Sequence, residues 1–241
     1  MSIDLTNFEL HQTLRCGRAM RDAARPAETV EDAAAAVVRY FREACVDPAS
    51  GEATCLLARF YRTHAYGDLA PALRTFASRL AGGTPLESDT KCLVLLATAG
   101  QQADWNDRRL SHDHQAIPLP SQQFVEQAPM IAQLVRQTGL DIAAVARPSP
   151  ELLRVAEGKT YQVFHVEHAP GSPYIAAQAE FVERYGVQSA VGFGGLHRDE
   201  FFAVILFASV PMPPASADRF RSVAVELRSA LHMVPGERLF A

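Results

Sequence analysis

Histidine patterns are the first features of this sequence that suggest chemistry. His165 and His168 flank Glu167 in HVEH, which has neither of the zinc-protease spacings HExxH and HxxEH. On an extended strand, His165 and Glu167 point to one face and His168 to the other, so the three side chains cannot converge on one ion. SHDH, at Ser111–His114, lies in a polar stretch that favours solvated surface. We therefore expect neither a metal site nor a catalytic residue.

Four cysteines offer a second kind of chemistry: Cys16, Cys45, Cys55 and Cys92. None forms CxxC, and none has a cysteine or histidine at structural-zinc spacing. Because Cys55 and Cys92 fall in predicted strands, we interpret the cysteines as small buried side chains in a reducing compartment. A redox enzyme that works through an accessible, low-pKa thiol stays open as an alternative.

A glycine cluster, GFGG, contains Gly192, Gly194 and Gly195. A phosphate-binding loop needs a helix directly after such glycines, but here a polar tetrad and the apolar run FFAVILFASV follow. We therefore predict an antiparallel hairpin over Gly186–Met212, with its turn at His197–Glu200. Glycine inside a strand marks a bend or a place where a ligand comes close.

Composition excludes several classes of protein. The 241 residues are 48% hydrophobic and carry a net charge of −4, which suits a globular core. The sequence has no long basic run of the kind that binds nucleic acid. It also has no apolar stretch long enough to span a bilayer. The N-terminus, MSIDLTNFEL, does not have the pattern of a signal peptide, so we expect a cytoplasmic location.

Hydrophobic periodicity predicts the order of the elements. Thr29 and Asp32 have the spacing of a capping box and open a clear amphipathic helix. The hairpin and the helices around it indicate the α+β class: an antiparallel sheet flanked by helices, with the N- and C-terminal helices on one face. We expect a helical extension over residues 1–28 and one domain over 29–241. Further helices are predicted at Phe8–Ala24, Asp68–Leu80, Ser121–Gly139 and Pro173–Tyr185 and after Ser216, and further strands at Ala53–Thr63, Lys91–Ala99 and Thr160–His168.

A family resemblance lies in two stretches, LVLLATAGQQADWNDRRLSHDHQAIPL and TYQVFHVEHAPGSPYIAAQAEFVERYGVQSAVGFGGLHRDEFFAVILFASVPMP, together with the amphipathic helix that follows. The pattern resembles the GAF-like sensor domains of bacterial two-component sensor proteins and covers roughly Thr29–Met233. The resemblance implies a ligand pocket between one sheet face and a lid of loops and short helices. It also implies a homodimer that pairs through its terminal helices and signals to a histidine kinase or another output protein.

The expected pocket is roofed by Gly100–Arg136 and floored by the strands at Tyr161–His168 and Ser189–Leu196. We expect Gly194→Leu to weaken ligand binding with only a modest loss of folding. The candidate ligand-binding residues are Trp105, His114, Tyr161, His165, Tyr174, Phe193 and Gly194.

The function that these observations favour is a sensory or regulatory domain that binds a small ligand and relays a signal through its terminal helices. One alternative is a stand-alone GAF-type enzyme that resembles methionine sulfoxide reductases and uses cysteine. Another is a gas or redox sensor with non-covalent haem, because no CxxCH motif occurs and His114, His165 and His197 are the candidate axial ligands. A third is an interaction domain whose pocket is filled by its own side chains.

Overall fold

A six-stranded antiparallel sheet organises the part of the chain that the structure describes. The computed structural model describes residues 2–137, 141–146 and 163–234. Within these residues, six strands lie side by side in the order β3-β2-β1-β6-β5-β4, and each neighbouring pair is antiparallel. The strands are β1 (Cys55–Ala65), β2 (Lys91–Gly100), β3 (Ala116–Pro118), β4 (Phe164–Val166), β5 (Ser189–His197) and β6 (Glu200–Ala208).

The helices divide into long and short ones. The long helices are α1 (Leu10–Ala24), α2 (Val30–Ala44), α3 (Pro71–Leu80) and α8 (Phe220–His232), and the shorter ones are α4 (Gln122–Glu126), α5 (Pro129–Gln137), α6 (Ile142–Ala146) and α7 (Pro214–Asp218). A π-helix spans Gln178–Glu183, and 3₁₀ turns span Tyr66–Asp68, Ala103–Asn106 and Arg108–Leu110.

The long helices cover one face of the sheet. Helix α2 packs on β1 and β2, α8 packs on β5, and α1 contacts both α2 and α8. Their apolar stripes and the sheet share one buried core, which also takes in Ile3 and Leu5 near the N-terminus. The α+β class is therefore confirmed, with the N- and C-terminal helices on one face.

The start of α2 follows from local chemistry. Thr29 Oγ1 accepts a hydrogen bond from the Asp32 backbone N–H at 3.0 Å, and Asp32 Oδ2 accepts one from the Thr29 N–H at 3.1 Å. These two bonds form the predicted capping box, which satisfies backbone donors that the first turn of a helix leaves without a partner.

The C-terminal region, where the sequence predicts one helix after Ser216, forms two helices, α7 and α8. Ser216 lies inside α7, and its hydroxyl accepts a hydrogen bond from the Phe8 backbone N–H at 3.0 Å. Farther along, Arg21 of α1 forms an ion pair with Glu226 of α8. The two contacts proceed in the same direction along both helices, so α1 and α8 lie parallel.

The hairpin of β5 and β6 forms where the sequence predicts it. The pairing runs from Ser189 with Ala208 to His197 with Glu200, without a register shift. Arg198 and Asp199 form the two-residue turn with φ values of 49° and 63°. Positive φ at both central residues is the geometry that matches the twist of hairpin strands.

Gly194 lies where the backbone of β6 leaves no room for a side chain on β5. An added Cβ would lie 2.0 Å from the Phe202 carbonyl oxygen and 2.9 Å from Ala203 Cα, both backbone atoms of β6. The expectation that Gly194→Leu costs little folding is therefore wrong, because any side chain would push two paired strands apart.

Gly192, two residues earlier, serves as a matched position. Its added Cβ would meet the Leu134 Cδ1 methyl at 2.7 Å, and a flexible side chain can move aside. We expect Gly194→Ala to lower the free energy of unfolding by about 3 kcal/mol or more and Gly192→Ala by about 1 kcal/mol. Urea denaturation of both variants measures the difference, and equal losses would contradict the backbone clash.

Candidate functional site

The second sheet face is covered by α4, α5 and α6, which we call the lid, and by the stretch from Ala169 to Val187. Side chains from the sheet and from these short elements form a second buried core. Among the described residues, the space beneath the lid is filled by the protein's own apolar side chains. Its largest contributors are Leu93, Leu95, Leu134, Ile142, Phe164, Ile175, Leu196, Phe201, Ile205 and Phe207.

Leu134 of α5 closes the lid over a glycine. Its Cδ1 methyl lies where a side chain on Gly192 would lie, and Phe164 borders the same space. Leu134 and Phe164 are fully buried. Tyr174 stands edge-on to Phe164 with ring centroids 6.1 Å apart. The missing side chain at Gly192 thus lets α5 approach the sheet, and Leu134 occupies the space that results.

Trp105 belongs to an aromatic cluster at the edge of this core. Its ring stands edge-on to Tyr185 at 4.6 Å and to Phe181 at 5.6 Å, and Phe181 stands perpendicular to Phe207 at 4.9 Å. Edge-to-face contacts of this kind add to the free energy gained from burial. Trp105 therefore fastens the 3₁₀ turn that carries it to the π-helix.

Asn106 secures the same turn to the sheet. Its side-chain oxygen accepts from the Gly100 N–H at 3.0 Å, and its amide donates to the Gly100 carbonyl oxygen at 3.1 Å. Thr98 Oγ1 adds a bond to the Trp105 carbonyl oxygen at 2.9 Å. The two bonds to Gly100 satisfy its backbone N–H and carbonyl oxygen at the edge of β2, beyond the point where β3 ends.

The remaining predicted site residues do not converge on one place. His114 is exposed in the loop before β3, and His165 is half-buried on β4. Phe193 faces the long helices and contacts Phe41 and Phe220, on the opposite side of the sheet from Trp105 and Tyr174. Tyr161 lies outside the described residues.

An open groove lies on the helix side, at the edge of β2. It has a volume of about 370 Å³. Arg108 Nε donates to Glu31 Oε1 at 2.7 Å, and this ion pair joins the two walls. Of the predicted roof, the groove uses only the part near Arg108. It is lined by Glu31, Ala35, Leu96, Ala97, Thr98, Asn106, Asp107, Arg108 and Arg109.

The four thiols are buried and carry no bridge. Burial raises the pKa of Cys16, Cys55 and Cys92 to about 12 and that of Cys45 well above its usual value. A thiol of this kind is scarcely ionised near neutral pH and is inaccessible to a substrate. The geometry therefore disfavours the cysteine-based enzyme.

The candidate axial histidines do not fit haem. His165 Nε2 lies 2.8 Å from the Met212 carbonyl oxygen, a bond that occupies the nitrogen an iron would need. His197 stands edge-on against His232 at 4.5 Å, among arginines. His114 is an exposed loop residue, whereas a haem ligand lies inside an apolar pocket.

The described ranges contain no group of three histidine, cysteine, aspartate or glutamate side chains placed to hold a metal ion. In the same ranges, no helix combines the length and apolar character needed to cross a bilayer.

A strand-end basic cluster lies on the helix side, near the ends of β1 and β5. We define it as Arg62, His64, His197, Arg228 and His232. His197 is 1% exposed and His64 5% exposed. Among the described residues, neither ring nitrogen of His197 has a hydrogen-bond partner, nor does Nε2 of His64. Sequence reasoning missed Arg62 and His64, although three basic residues in a mostly apolar strand (Arg59, Arg62 and His64) were a usable signal.

No protein-family model matches the chain, and no curated protein matches it. The chain is similar to the phycoerythrobilin-bound GAF domain from a cyanobacterial phytochrome, at 11% identity and a TM-score of 0.44, over 92% of this chain and 95% of that one. It is also similar to a phycocyanobilin-bound GAF domain from a cyanobacterial phytochrome, at 10% identity and a TM-score of 0.43, over 91% and 93%.

A third similar structure is the N-acylhomoserine lactone-dependent LuxR-family transcription factor CepR2 from Burkholderia cenocepacia. The identity is 13% and the TM-score 0.38, over 93% of this chain and 95% of that one. Because all three scores lie below 0.5, these likenesses carry no argument about the ligand or the partner. The α+β class rests on the strand order and on the two covered faces.

The basic cluster predicts acid sensitivity. Burial, with the charges of Arg62 and other cations, lowers the pKa of His64 and His197 to about 3, whereas an unfolded histidine titrates near pH 6.5. As pH falls from about 6.5 towards 3, the unfolded chain takes up protons that the folded one does not. The free energy of unfolding should then fall by about 1 kcal/mol per pH unit for each histidine.

Urea denaturation between pH 7.5 and 4.5 checks this expectation. His197→Phe keeps a ring of similar size but removes the titrating group, so its stability should depend less steeply on pH than that of the wild type. His168→Asn alters an exposed histidine and should keep the wild-type slope. Identical slopes for wild type and His197→Phe would contradict the assignment.

Proposed function

We propose that this chain is a GAF-like sensory or regulatory domain that binds a small apolar ligand beneath the lid and relays binding to its terminal helices. The observation that carries the proposal is the pair Gly192 and Phe193. These adjacent residues of β5 point to opposite faces of the sheet. A Cβ added at Gly192 would touch Leu134 of the lid. The Phe193 ring packs against the Phe220 ring of α8, with ring centroids 5.1 Å apart.

The contacts of Phe193 continue to both chain ends. The ring centroid of Phe220 lies 6.2 Å from that of Phe41 in α2 and 5.0 Å from that of Phe8, which precedes α1. Since interiors are close-packed, a displacement of β5 has to be absorbed by these rings. A ligand that replaces Leu134 above Gly192 would therefore favour one arrangement of α1 and α8 over another, which is what a relayed signal requires.

The lid has the construction of an element that opens. Its helices have five, nine and five residues, too short to be stable apart from their packing. Such elements open locally at a lower free energy than a core sheet does. The apolar lining of the space beneath them favours an apolar ligand with few polar groups.

Probe binding tests the site. Leu134→Ala leaves an apolar cavity above Gly192, so we expect the neutral probe N-phenyl-1-naphthylamine to bind this variant at least tenfold more tightly than the wild type. Leu227→Ala removes an equally buried leucine from the other core and serves as the control. Both variants should lose about 2–5 kcal/mol of stability, so folding is checked first by circular dichroism.

The same samples test whether ligand binding beneath the lid changes the dynamics of α8. Probe bound to Leu134→Ala should slow amide hydrogen exchange in Phe220–His232, whereas Arg108→Gln, in the groove, should leave probe affinity unchanged. Equal probe binding by Leu134→Ala and Leu227→Ala would refute the lid site. Binding without any change in α8 would refute the relay while leaving the site in place.

The proposal includes a homodimer that forms through the first and last helices. Leu10 and Leu14 lie one turn apart on α1 and are 54% and 62% exposed. On the neighbouring parallel helix, Val225 is 50% exposed, and Met233 at its end is 51% exposed. Exposed apolar side chains on adjacent helices favour association, and a two-fold dimer is the commonest closed form.

Sedimentation velocity at about ten micromolar protein tests the dimer. We expect the wild type to sediment as a dimer and Leu14→Glu as a monomer of unchanged stability, because the side chain is already exposed in the single chain. Leu110→Glu changes a loop leucine that is 51% exposed and should remain dimeric. A monomeric wild type would remove this part of the proposal.

A two-component context and a histidine kinase partner rest on the sequence resemblance and stay predictions, as do the cytoplasmic location and the division at residue 28. Residues before Thr29 contribute Cys16 and Met20 to the helix-side core. A signal carried by α8 would therefore also move α1.

A further inference from the structure

An arginine lies in the middle of the sheet, on the face that the lid covers. Its neighbours along β1, Ala58 and Phe60, belong to the helix-side core, so Arg59 points to the other face by the alternation of a strand. Across the sheet, Arg59 pairs with Thr98 of β2 and with Ile205 of β6. Ile205 belongs to the core beneath the lid, and directly opposite residues share a face. A cation therefore stands on the mostly apolar lid side.

Arg59 shares a cross-strand row with the glycine of the proposed ligand site. Ile205 pairs with Arg59 on one side and with Gly192 on the other. Because neighbouring strands lie about 4.8 Å apart, the backbones of Arg59 and Gly192 are roughly 10 Å apart. A single ligand of moderate length can therefore reach from the space above Gly192 to the Arg59 side chain.

The fold gives Arg59 no counterion among the residues that the structure describes. Within these ranges, no aspartate or glutamate forms an ion pair with it. Its Nε is buried and has no hydrogen-bond partner there. His114, which interacts electrostatically with Arg59, is itself a base and cannot neutralise a positive charge.

Other half-buried cations near the same strands are neutralised by the fold. Lys91 of β2 pairs with Glu200, and Arg108 pairs with Glu31. A charge taken partly out of water costs free energy unless it is paired, and a buried polar atom without a partner calls for an explanation such as an absent ion. The contrast points to a negative group that Arg59 meets only when a ligand is bound.

We propose that the ligand beneath the lid is an amphiphilic carboxylate, with its apolar body above Gly192 and its carboxylate bound by Arg59. This ligand class rests on the lid site proposed above. A planar guanidinium presents parallel N–H donors that match the two oxygens of a carboxylate, and its single charge balances a monoanion. The rest of the ligand has to be apolar, because the side chains around Gly192 on this face are apolar.

Two ligands of equal chain length test the charge. Dodecanoate and 1-dodecanol are titrated against N-phenyl-1-naphthylamine bound to Leu134→Ala, at about pH 7.5, where a carboxylic acid is ionised. We expect dodecanoate to displace the probe at least tenfold more tightly than 1-dodecanol, since a hydrogen bond to a charged partner is stronger than one between neutral groups. Isothermal titration calorimetry of the wild type with both ligands repeats the comparison without any substitution.

Variants made in the Leu134→Ala background assign the preference to Arg59. Arg59→Met keeps an unbranched apolar stem and removes the charge, so it should weaken dodecanoate binding about tenfold and leave 1-dodecanol binding unchanged. Arg59→Lys keeps the charge but not the paired donors, and should give an intermediate affinity. Arg74→Met makes the same change at a half-buried arginine of α3 and should retain the full preference for dodecanoate. Circular dichroism checks the fold of each variant first.

Equal affinities for dodecanoate and 1-dodecanol would overturn the carboxylate ligand, and so would a preference for dodecanoate that survives in Arg59→Met. In either case, tighter binding of the neutral probe by Leu134→Ala than by Leu227→Ala would still support the lid site. Failure of both the neutral probe and dodecanoate to bind would remove the lid site and its carboxylate ligand together.

Discussion

A sheet that is buried on both faces is the constraint on which this structure depends. No residue of β5 is exposed, and β6 is buried apart from Glu200, which is half-buried. Apolar surface on two faces requires two covers, because leaving either face in water would forfeit most of the stabilisation from burial. The long amphipathic helices supply one cover in regular form. The other is assembled from short helices, turns and loops.

The alternation of side chains along β5 joins the two covers. A strand places neighbouring residues on opposite faces, so a contact at Gly192 and a contact at Phe193 cannot move independently. The glycines set the tolerances: at Gly192 the neighbour is a movable leucine, whereas at Gly194 it is the backbone of β6. Within one strand, Gly192 can therefore accept a small side chain and Gly194 cannot.

The cover ends before the strands do, and the side chains change character there. Arg62, His64 and His197 continue the helix-side face of the sheet beyond its apolar part. Keeping imidazoles neutral in such a place costs stability at acidic pH.

Sequence alone determined the features that depend on neighbours along the chain. Thr29 and Asp32 form the predicted capping box, and the hairpin turns at Arg198 and Asp199, because both need only a short segment. The α+β class followed from the order of such segments. Tertiary structure decided how distant parts meet: Leu134 above Gly192, Trp105 against Tyr185, and Arg62 beside His197. No local period encodes these contacts, since they arise from filling space between elements that the chain brings together only on folding.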